Sequence, residues 1–233
     1  MMGKLLIPRI FHQIWLGPKP LPSHFQRWAD GWLAMNPGWQ MQWWTDRHLP
    51  NLMNRAEFDS ADKMAAKSDI LRYEVLAQFG GVYVDSDFEP LKPIEAVLSG
   101  VSTFQADELD DRPCNALLGG VPNDPFYTAV VKAIPDSIRA GGDIVATTGP
   151  GLLKRVITDY LGQGRRKVDD PVAGVEQRRW RIESADGRRS IHGFHWSVFY
   201  PYHYDQPELE NNDFPQAYGK HHWTASWWKD GGV

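Results

Sequence analysis

Apolar positions along this chain recur at two spacings, every second residue and every third or fourth, and the alternation between them marks out the elements. Residues 7–15 read as a first strand, Ser23–Met35 as a helix with Ser23 as its cap, and Gln40–Trp44 as a second strand. Asn36-Pro37-Gly38 supplies the break between them. From about residue 60 to 79, Met64, Leu71, Val75, Leu76 and Phe79 fall at the spacings of an amphipathic helix. Gly80 suits a left-handed cap, and Val82-Tyr83-Val84 is β-branched and aromatic enough for a buried strand. Short apolar runs follow at 101–105 and 116–120, then a helical pattern over 125–134 with Asp124 at its cap and Pro125 in its first turn. A further helix begins near Gly149-Pro150-Gly151 and continues to Tyr160. Strands alternating with helices predict an α/β fold with a mostly parallel central sheet flanked by helices.

Composition narrows the picture. With 233 residues, 42% of them hydrophobic, the chain can bury one sizeable core, and a single domain over 1–233 is expected. A net charge of −4 gives no basis for nonspecific nucleic-acid binding. Cys114 is the lone cysteine, which leaves no internal disulfide and fits a reducing compartment. Neither a signal-peptide pattern nor an apolar run of membrane-spanning length is present, so a cytoplasmic location is expected. Residues 162–192 are polar and basic, with Arg165-Arg166-Lys167, Arg178-Arg179 and Arg188-Arg189. They read as a solvated loop or hairpin; a phosphate-bearing acceptor or the inner face of an anionic membrane, bound peripherally, is the sharper alternative.

The chemistry concentrates between Ala66 and Asp87. Asp69 and Arg72, three apart on a helix, share a face where they pair or jointly hold a ligand; a surface ion pair is the bland alternative. Asp85 and Asp87 point the same way if the chain stays extended past the strand. Two adjacent carboxylates repel unless a cation sits between them, and hard oxygen ligands suit Mg2+ or Mn2+, which bridge diphosphate oxygens. A bare Asp-x-Asp is equally a solvated acidic turn, but its place after an apolar strand and a Gly-Gly break sets it at a strand's carboxyl end, where open α/β sheets bind ligands.

Together, Ile7-Pro8-Arg9-Ile10-Phe11-His12-Gln13-Ile14-Trp15, Asn36-Pro37-Gly38-Trp39, Trp43-Trp44-Thr45-Asp46 and the stretch from Ser68-Asp69-Ile70-Leu71-Arg72-Tyr73 to Asp85-Ser86-Asp87 resemble a known family. It is the DXD sugar-transferase region (glycosyltransferase family thirty-two) of capsular-polysaccharide transferases, fungal initiating mannosyltransferases and large glucosylating toxins. The likeness continues through Thr148-Gly149-Pro150, Phe199-Tyr200-Pro201 and His221-His222-Trp223-Thr224-Ala225-Ser226-Trp227. The resemblance implies a GT-A type nucleotide-sugar-binding fold and retaining transfer of a hexose from a UDP- or GDP-linked donor, with Mn2+ or Mg2+, to a glycan, glycolipid or protein hydroxyl. It implies that Trp15 stacks on the base, that Asp69, Arg72 and Asn115 contact the donor sugar, and that Asp85 sits near ribose, sugar and metal. Asp87 is then a metal ligand, with His221, Ser226 and Trp227 closing over the diphosphate; His222 is the second choice for the metal-binding histidine, and Trp228 leaves the register of the last element open.

Two rival classes share some of these features: a metal-dependent nucleotidyltransferase or pyrophosphatase, for which a glycine-rich phosphate loop with its lysine is missing, and a non-catalytic carbohydrate-binding module, which has no use for Asp85 and Asp87 beside Asp69 and Arg72. Among the eleven tryptophans, Trp28, Trp32 and Trp39 are assigned to the core, and Trp15, Trp223 and Trp227 to ligand contact. His12 reads as a buried, hydrogen-bonded histidine, while His192, His195 and His203 lack zinc-ligand spacing. The acidic run Asp107, Glu108, Asp110 and Asp111 reads as hydrated surface or an acceptor-side loop.

Overall fold

The computed structural model describes residues 4–171 and 179–224. In chain order the elements are β1 (Ile10–Ile14), α1 (Ser23–Met35), β2 (Gln40–Trp44), α2 (Arg55–Ser60), α3 (Met64–Phe79), β3 (Gly81–Val84), β4 (Phe88–Pro90), β5 (Thr103–Leu109) and β6 (Arg112–Gly120). They continue with α4 (Pro125–Ala140), α5 (Ile144–Thr147), α6 (Pro150–Leu161), β7 (Arg166–Asp169), β8 (Arg179–Glu183), β9 (Ser190–Phe194), α7 (Trp196–Phe199) and β10 (Gly219–His221).

Eight strands form one sheet in the order β2-β1-β3-β6-β5-β9-β8-β7. The pairings β1–β2, β1–β3 and β5–β9 are parallel, whereas β6 and β8 run against both their neighbours, so six of the eight strands share one direction. Alternation along the strands loads both faces. Tyr83, Leu118 and Ile191 point into a cluster with α3, α4 and α6, while Val82, Val84, Leu117 and Phe194 point into a second with Trp32, Phe88 and Phe199. Trp32 and Trp39 lie in that second core, and Trp28 is half-buried.

The structure revises several sequence expectations. The first strand is shorter, starting only at Ile10. The helix expected from about residue 60 starts at Met64 as α3, and a separate short helix, α2, precedes it and ends at Ser60. Ser23 opens α1, but Pro22 is the cap residue and no side chain caps the end. Asp124 does cap α4, accepting from the amides of Phe126 and Tyr127, and α4 runs through Pro135 to Ala140. The basic region holds the β7–β8 hairpin, antiparallel with Arg166 opposite Glu183, which adds an edge to the sheet.

α3 departs from the amphipathic pattern that its apolar spacing suggested: every residue from Ser68 to Leu76 is buried, including Asp69, Arg72 and Glu74. Its end is fixed by glycine. Gly80 has φ +63°, and a Cβ there would come within 2.6 Å of the Pro122 nitrogen and 2.7 Å of the Gly120 oxygen. Gly81 follows at φ +91°, against the Ile10 oxygen of β1. Close approach of α3's end to β1 and β6 therefore needs both glycines.

Candidate active site

Asp69 and Arg72 project from α3 towards the carboxyl end of β3 and the start of β6, and both are inside, at 6% and 5% exposure. That removes the reading as a surface ion pair. Asp69 Oδ1 accepts from Asn115 Nδ2 at 2.8 Å and faces Arg72 Nη2 at 3.2 Å, while its Oδ2 accepts from Thr148 Oγ1 at 3.0 Å. Arg72 Nη1 donates to the Asn115 carbonyl at 2.7 Å and lies 3.3 Å from Asp85 Oδ1, with the guanidinium 4.6 Å over the Tyr83 ring. Burial pushes the Asp69 carboxyl up, against the opposing pull of Arg72, Thr148 and Asn115. Burial also works against the charge on Arg72, but Asp85, Tyr83 and Asp69 outweigh it and hold the guanidinium protonated. Asn115 reaches α3 because β6 bulges: Gln105 pairs with Leu118 but Ala106 with Cys114, so residues 115–117 bow out of register.

Asp85 and Asp87 converge, but not by the extended alternation expected. The chain turns at Asp85-Ser86-Asp87-Phe88, with Phe88 N donating to the Asp85 carbonyl at 3.1 Å, so the turn brings the two carboxylates to one side. Tyr83, two residues back on β3, donates its hydroxyl to Asp85 Oδ1. β10 pairs antiparallel with β4, His221 opposite Phe88, and delivers His221 Nε2 to 3.1 Å from Asp87 Oδ1 and 3.8 Å from Asp85 Oδ2. One ligating atom each from Asp85, Asp87 and His221 lies within 4.8 Å of the others. Asp87 Oδ2 accepts from the amide and hydroxyl of Thr224, at 3.0 and 2.8 Å.

The cluster is electrostatically divided. Burial raises the Asp85 carboxyl, Arg72 draws it down and Asp87 repels it upward, for a net rise. Burial opposes ionisation of Asp87 as well, but His221 and Thr224 overcome it and hold Asp87 well below the usual carboxylate range. His221 is raised, because the charges of Asp87 and Asp85 outweigh its burial. Two oxygens and one imidazole nitrogen this close form a cation-shaped donor set, and carboxylate-rich sets of this kind suit Mg2+ or Mn2+.

His222 points to the other side of β10, as the residue after His221 must. Its Nε2 meets Glu89 Oε2 at 2.8 Å and its Nδ1 meets Glu210 Oε1 at 3.0 Å, while its ring stacks 4.2 Å from Trp28. Both nitrogens are engaged away from the Asp85–Asp87 cluster. Trp223, expected at a ligand, packs 4.2 Å from His221 and donates its indole N–H to the Tyr202 carbonyl. Trp15 stands apart, on a cavity of 660 Å³ lined with Gly17, Pro18, Thr45, Asp46, Arg47 and Met64 at the ends of β1 and β2. Its indole N–H donates to the Lys19 carbonyl at 2.7 Å. Ser226, Trp227 and Trp228 lie outside the described residues. Tyr83, Thr148 and Thr224 entered the sequence reading only within a strand or a resembling motif, without a role of their own, and Glu89 did not enter it. Tyr83 was findable, two residues before Asp85 on one strand face, whereas the contact of Thr148 with Asp69 joins positions 79 residues apart.

His12 is buried as expected, between the Gly80 carbonyl and Trp44 Nε1, and burial pulls it down to about 4. Asp107 is not hydrated surface: it is 3% exposed, and burial pushes its carboxyl up to about 6.

Against known proteins, residues 22–104 match the family model of the glycosyltransferase sugar-binding region containing DXD motif. An uncharacterized glycosyltransferase of Acanthamoeba polyphaga mimivirus is 28% identical over 166 residues, 66% of this chain and 66% of that protein. Inositol phosphoceramide mannosyltransferase 1 of Schizosaccharomyces pombe is 29% identical over 53% of this chain and 42% of its own. A mannosyl phosphorylinositol ceramide synthase of Saccharomyces cerevisiae is 26% identical over 66% of this chain and 43% of its own. The chain thus spans less than half the length of the two yeast relatives. Among solved structures, the PaToxG glycosyltransferase superposes with a TM-score of 0.55 at 16% identity, over 66% of this chain and 69% of that one, a likeness of fold that places this α/β sheet in the GT-A type.

Proposed function

Residues 22–104 are a glycosyltransferase sugar-binding region containing a DXD motif, and from that premise we propose that this chain is a metal-dependent, retaining glycosyltransferase. It moves a hexose from a UDP- or GDP-linked donor to a hydroxyl of a glycan, glycolipid or protein, in polysaccharide or glycolipid assembly. The observation that carries the proposal is the convergence of Asp85, Asp87 and His221 beside the buried Asp69–Arg72–Asn115 network, at the carboxyl ends of β1 and β3. Since two of the relatives are named for mannosyl transfer, a mannosyl donor is the first to test.

Asp85, Asp87 and His221 Nε2 would hold Mn2+ or Mg2+, which when bound neutralises charge on the diphosphate leaving group. Asp69, braced by Asn115 and Thr148, is rigid enough to fix donor-sugar hydroxyls. Arg72, kept protonated by two carboxylates, adds positive charge where the leaving group develops negative charge. Trp15 offers a face for the base, and Ser226 and Trp227 join the donor set on the resemblance alone. In same-face attack the acceptor oxygen bonds to the anomeric carbon as the bond to diphosphate breaks, and the diphosphate takes the acceptor's proton. No described helix is long and apolar enough to cross a membrane. Arg166, Lys167 and Arg188 lie exposed in the basic region beside Glu183, Asp111 and Asp186, at 3.5, 3.5 and 4.0 Å, so an anionic inner membrane face in the cytoplasm would compete with these acids for peripheral attachment. The test is turnover of GDP- and UDP-hexoses with and without Mn2+. Wild type is expected to release nucleoside diphosphate only with the metal and Asp87→Asn to lose it; metal-independent release by Asp87→Asn contradicts the proposal.

A further inference from the structure

The 660 Å³ cavity beside Trp15 has a charged rim that the proposed function leaves without a task. Past the end of β2 the chain turns at Thr45–His48, with His48 N donating to the Thr45 carbonyl at 2.9 Å and Thr45 Oγ1 lying 3.3 Å from His48 Nδ1. Asp46 and Arg47 occupy the two middle positions of that turn, both exposed and both lining the cavity. Asp46 Oδ2 accepts from the Gly17 amide at 2.7 Å, which pins the turn to the loop after β1. The second Asp46 oxygen, Oδ1, and the Arg47 guanidinium have no hydrogen-bond or ion-pair partner among the described residues. A carboxylate and a guanidinium thus stand side by side on a braced turn, facing open space with their bonding capacity unspent.

The other walls suit a flat ring. The Trp15 indole is held in one plane, its N–H on the Lys19 carbonyl and its ring met edge-on by Phe25 at 5.8 Å. Gly17 has φ +90°, and a Cβ there would meet Met64 Cε at 3.8 Å, so glycine keeps the wall bare between Trp15 and Met64. Strand order sets the distance to the cation site. β1 lies between β2 and β3, so the Asp46–Arg47 turn is two strand spacings, about 9.6 Å, from the chain that leaves β3 for Asp85 and Asp87. A nucleoside diphosphate bridges such a gap, with its phosphates at the cation site and its base in the cavity.

We propose that Asp46 and Arg47 read the edge of the donor's base and select guanine over uracil. The inference rests on the glycosyltransferase reading above. Guanine presents two adjacent donors, N1–H and the 2-amino group, which match a carboxylate, and beside them the acceptors O6 and N7, which match a guanidinium. Uracil presents a single N–H between two carbonyls, so a carboxylate facing it repels at least one carbonyl oxygen. Both side chains are exposed until the base arrives, so their hydrogen bonds to it form as the ring covers the Trp15 face.

The experiment titrates GDP, inosine diphosphate and UDP, each with Mn2+, into wild type, Asp46→Asn and Arg47→Gln by calorimetry. Inosine diphosphate is GDP without the 2-amino group, so it probes one hydrogen bond. Wild type is expected to bind GDP about 10–100-fold more tightly than UDP and about tenfold more tightly than inosine diphosphate, the size of one hydrogen bond to a charged group. Asp46→Asn keeps an oxygen for the Gly17 amide and its melting temperature, but turns an N–H donor towards the 2-amino group. It is expected to bind GDP and inosine diphosphate alike, with no fall in UDP affinity, and Arg47→Gln to bind both purine nucleotides about tenfold more weakly. UDP bound as tightly as GDP or more so, a preference for GDP over inosine diphosphate undiminished in Asp46→Asn, or GDP affinity unchanged in Arg47→Gln overturns the assignment and leaves glycosyl transfer itself standing. Should Asp46→Asn not fold, equal affinity of wild type for GDP and inosine diphosphate overturns it. A wild type that binds none of the three removes the glycosyltransferase reading, and this inference with it.

Discussion

At the scale of single residues, the protein keeps several ionisable groups inside, and two of them act on stability in opposite directions. His12 has its proton affinity lowered from 6.5 to about 4 by burial, so the folded state prefers the neutral ring. Its contribution is complete above pH 6.5 and is lost as pH falls towards 4, a loss on the order of 3 kcal/mol. Asp107 is raised from 3.8 to about 6, so the folded state prefers the protonated acid, and stability falls as pH rises from 3.8 through 6 by a similar amount. Urea unfolding across pH is expected to show His12→Gln with a shallower loss on the acid side. Asp107→Asn is expected to be more stable than wild type at pH 7.5, by about 2–3 kcal/mol, and no more stable near pH 4. A variant equally stable at both pH values contradicts the assigned protonation of Asp107.

At the scale of elements, the stop at the end of α3 and the β4–β10 pair decide where the site residues stand. Gly80→Ala places a Cβ on the backbone of residues 120 and 122 at positive φ, and is expected to cost about 1–3 kcal/mol in urea unfolding. His222 ties β10 to Glu89, Glu210 and Trp28, so it positions His221 without facing the cluster. His222→Ala is expected to weaken Mn2+ binding about tenfold while the far-UV circular dichroism holds, the size of one charged hydrogen bond lost; unchanged Mn2+ affinity counts against that positioning role. Much of this layer was legible in the sequence: β2, α1, the Gly80 stop and the Asp124 cap follow from local spacing and turn chemistry. The turn at Asp85–Phe88 was not, because carboxylates two apart converge equally in a strand or a tight turn. Nor was the depth of α3, since pairing of Asp69, Arg72 and Glu74 with distant partners overrides the surface preference of charged residues.

At the scale of the whole molecule, one sheet edge collects the chemistry. The carboxyl ends of β1, β3 and β5 and the start of antiparallel β6 bring Trp15, Asp85, Asp107 and Asn115 to the same side of the molecule, from positions spread over a hundred residues. The parallel strands follow from alternation of strand and helix, but the insertion of β6 between β3 and β5 does not, because pairing order depends on long-range contacts that no local pattern encodes. The candidate site divides likewise. Asp69, Arg72, Asp85 and Asp87 lie within one stretch and were read together, whereas the choice between His221 and His222 waited on the β4–β10 register, which links residues more than a hundred positions apart.

Calorimetric titration of GDP and UDP into the protein, with and without Mn2+, tests whether Asp85, Asp87 and His221 form a cation site that holds a nucleoside diphosphate. One of the two nucleotides is expected to bind in the presence of Mn2+, with affinity falling at least about tenfold on chelation or in Asp87→Asn. Equal affinity with and without the metal, or in wild type and Asp87→Asn alike, contradicts it.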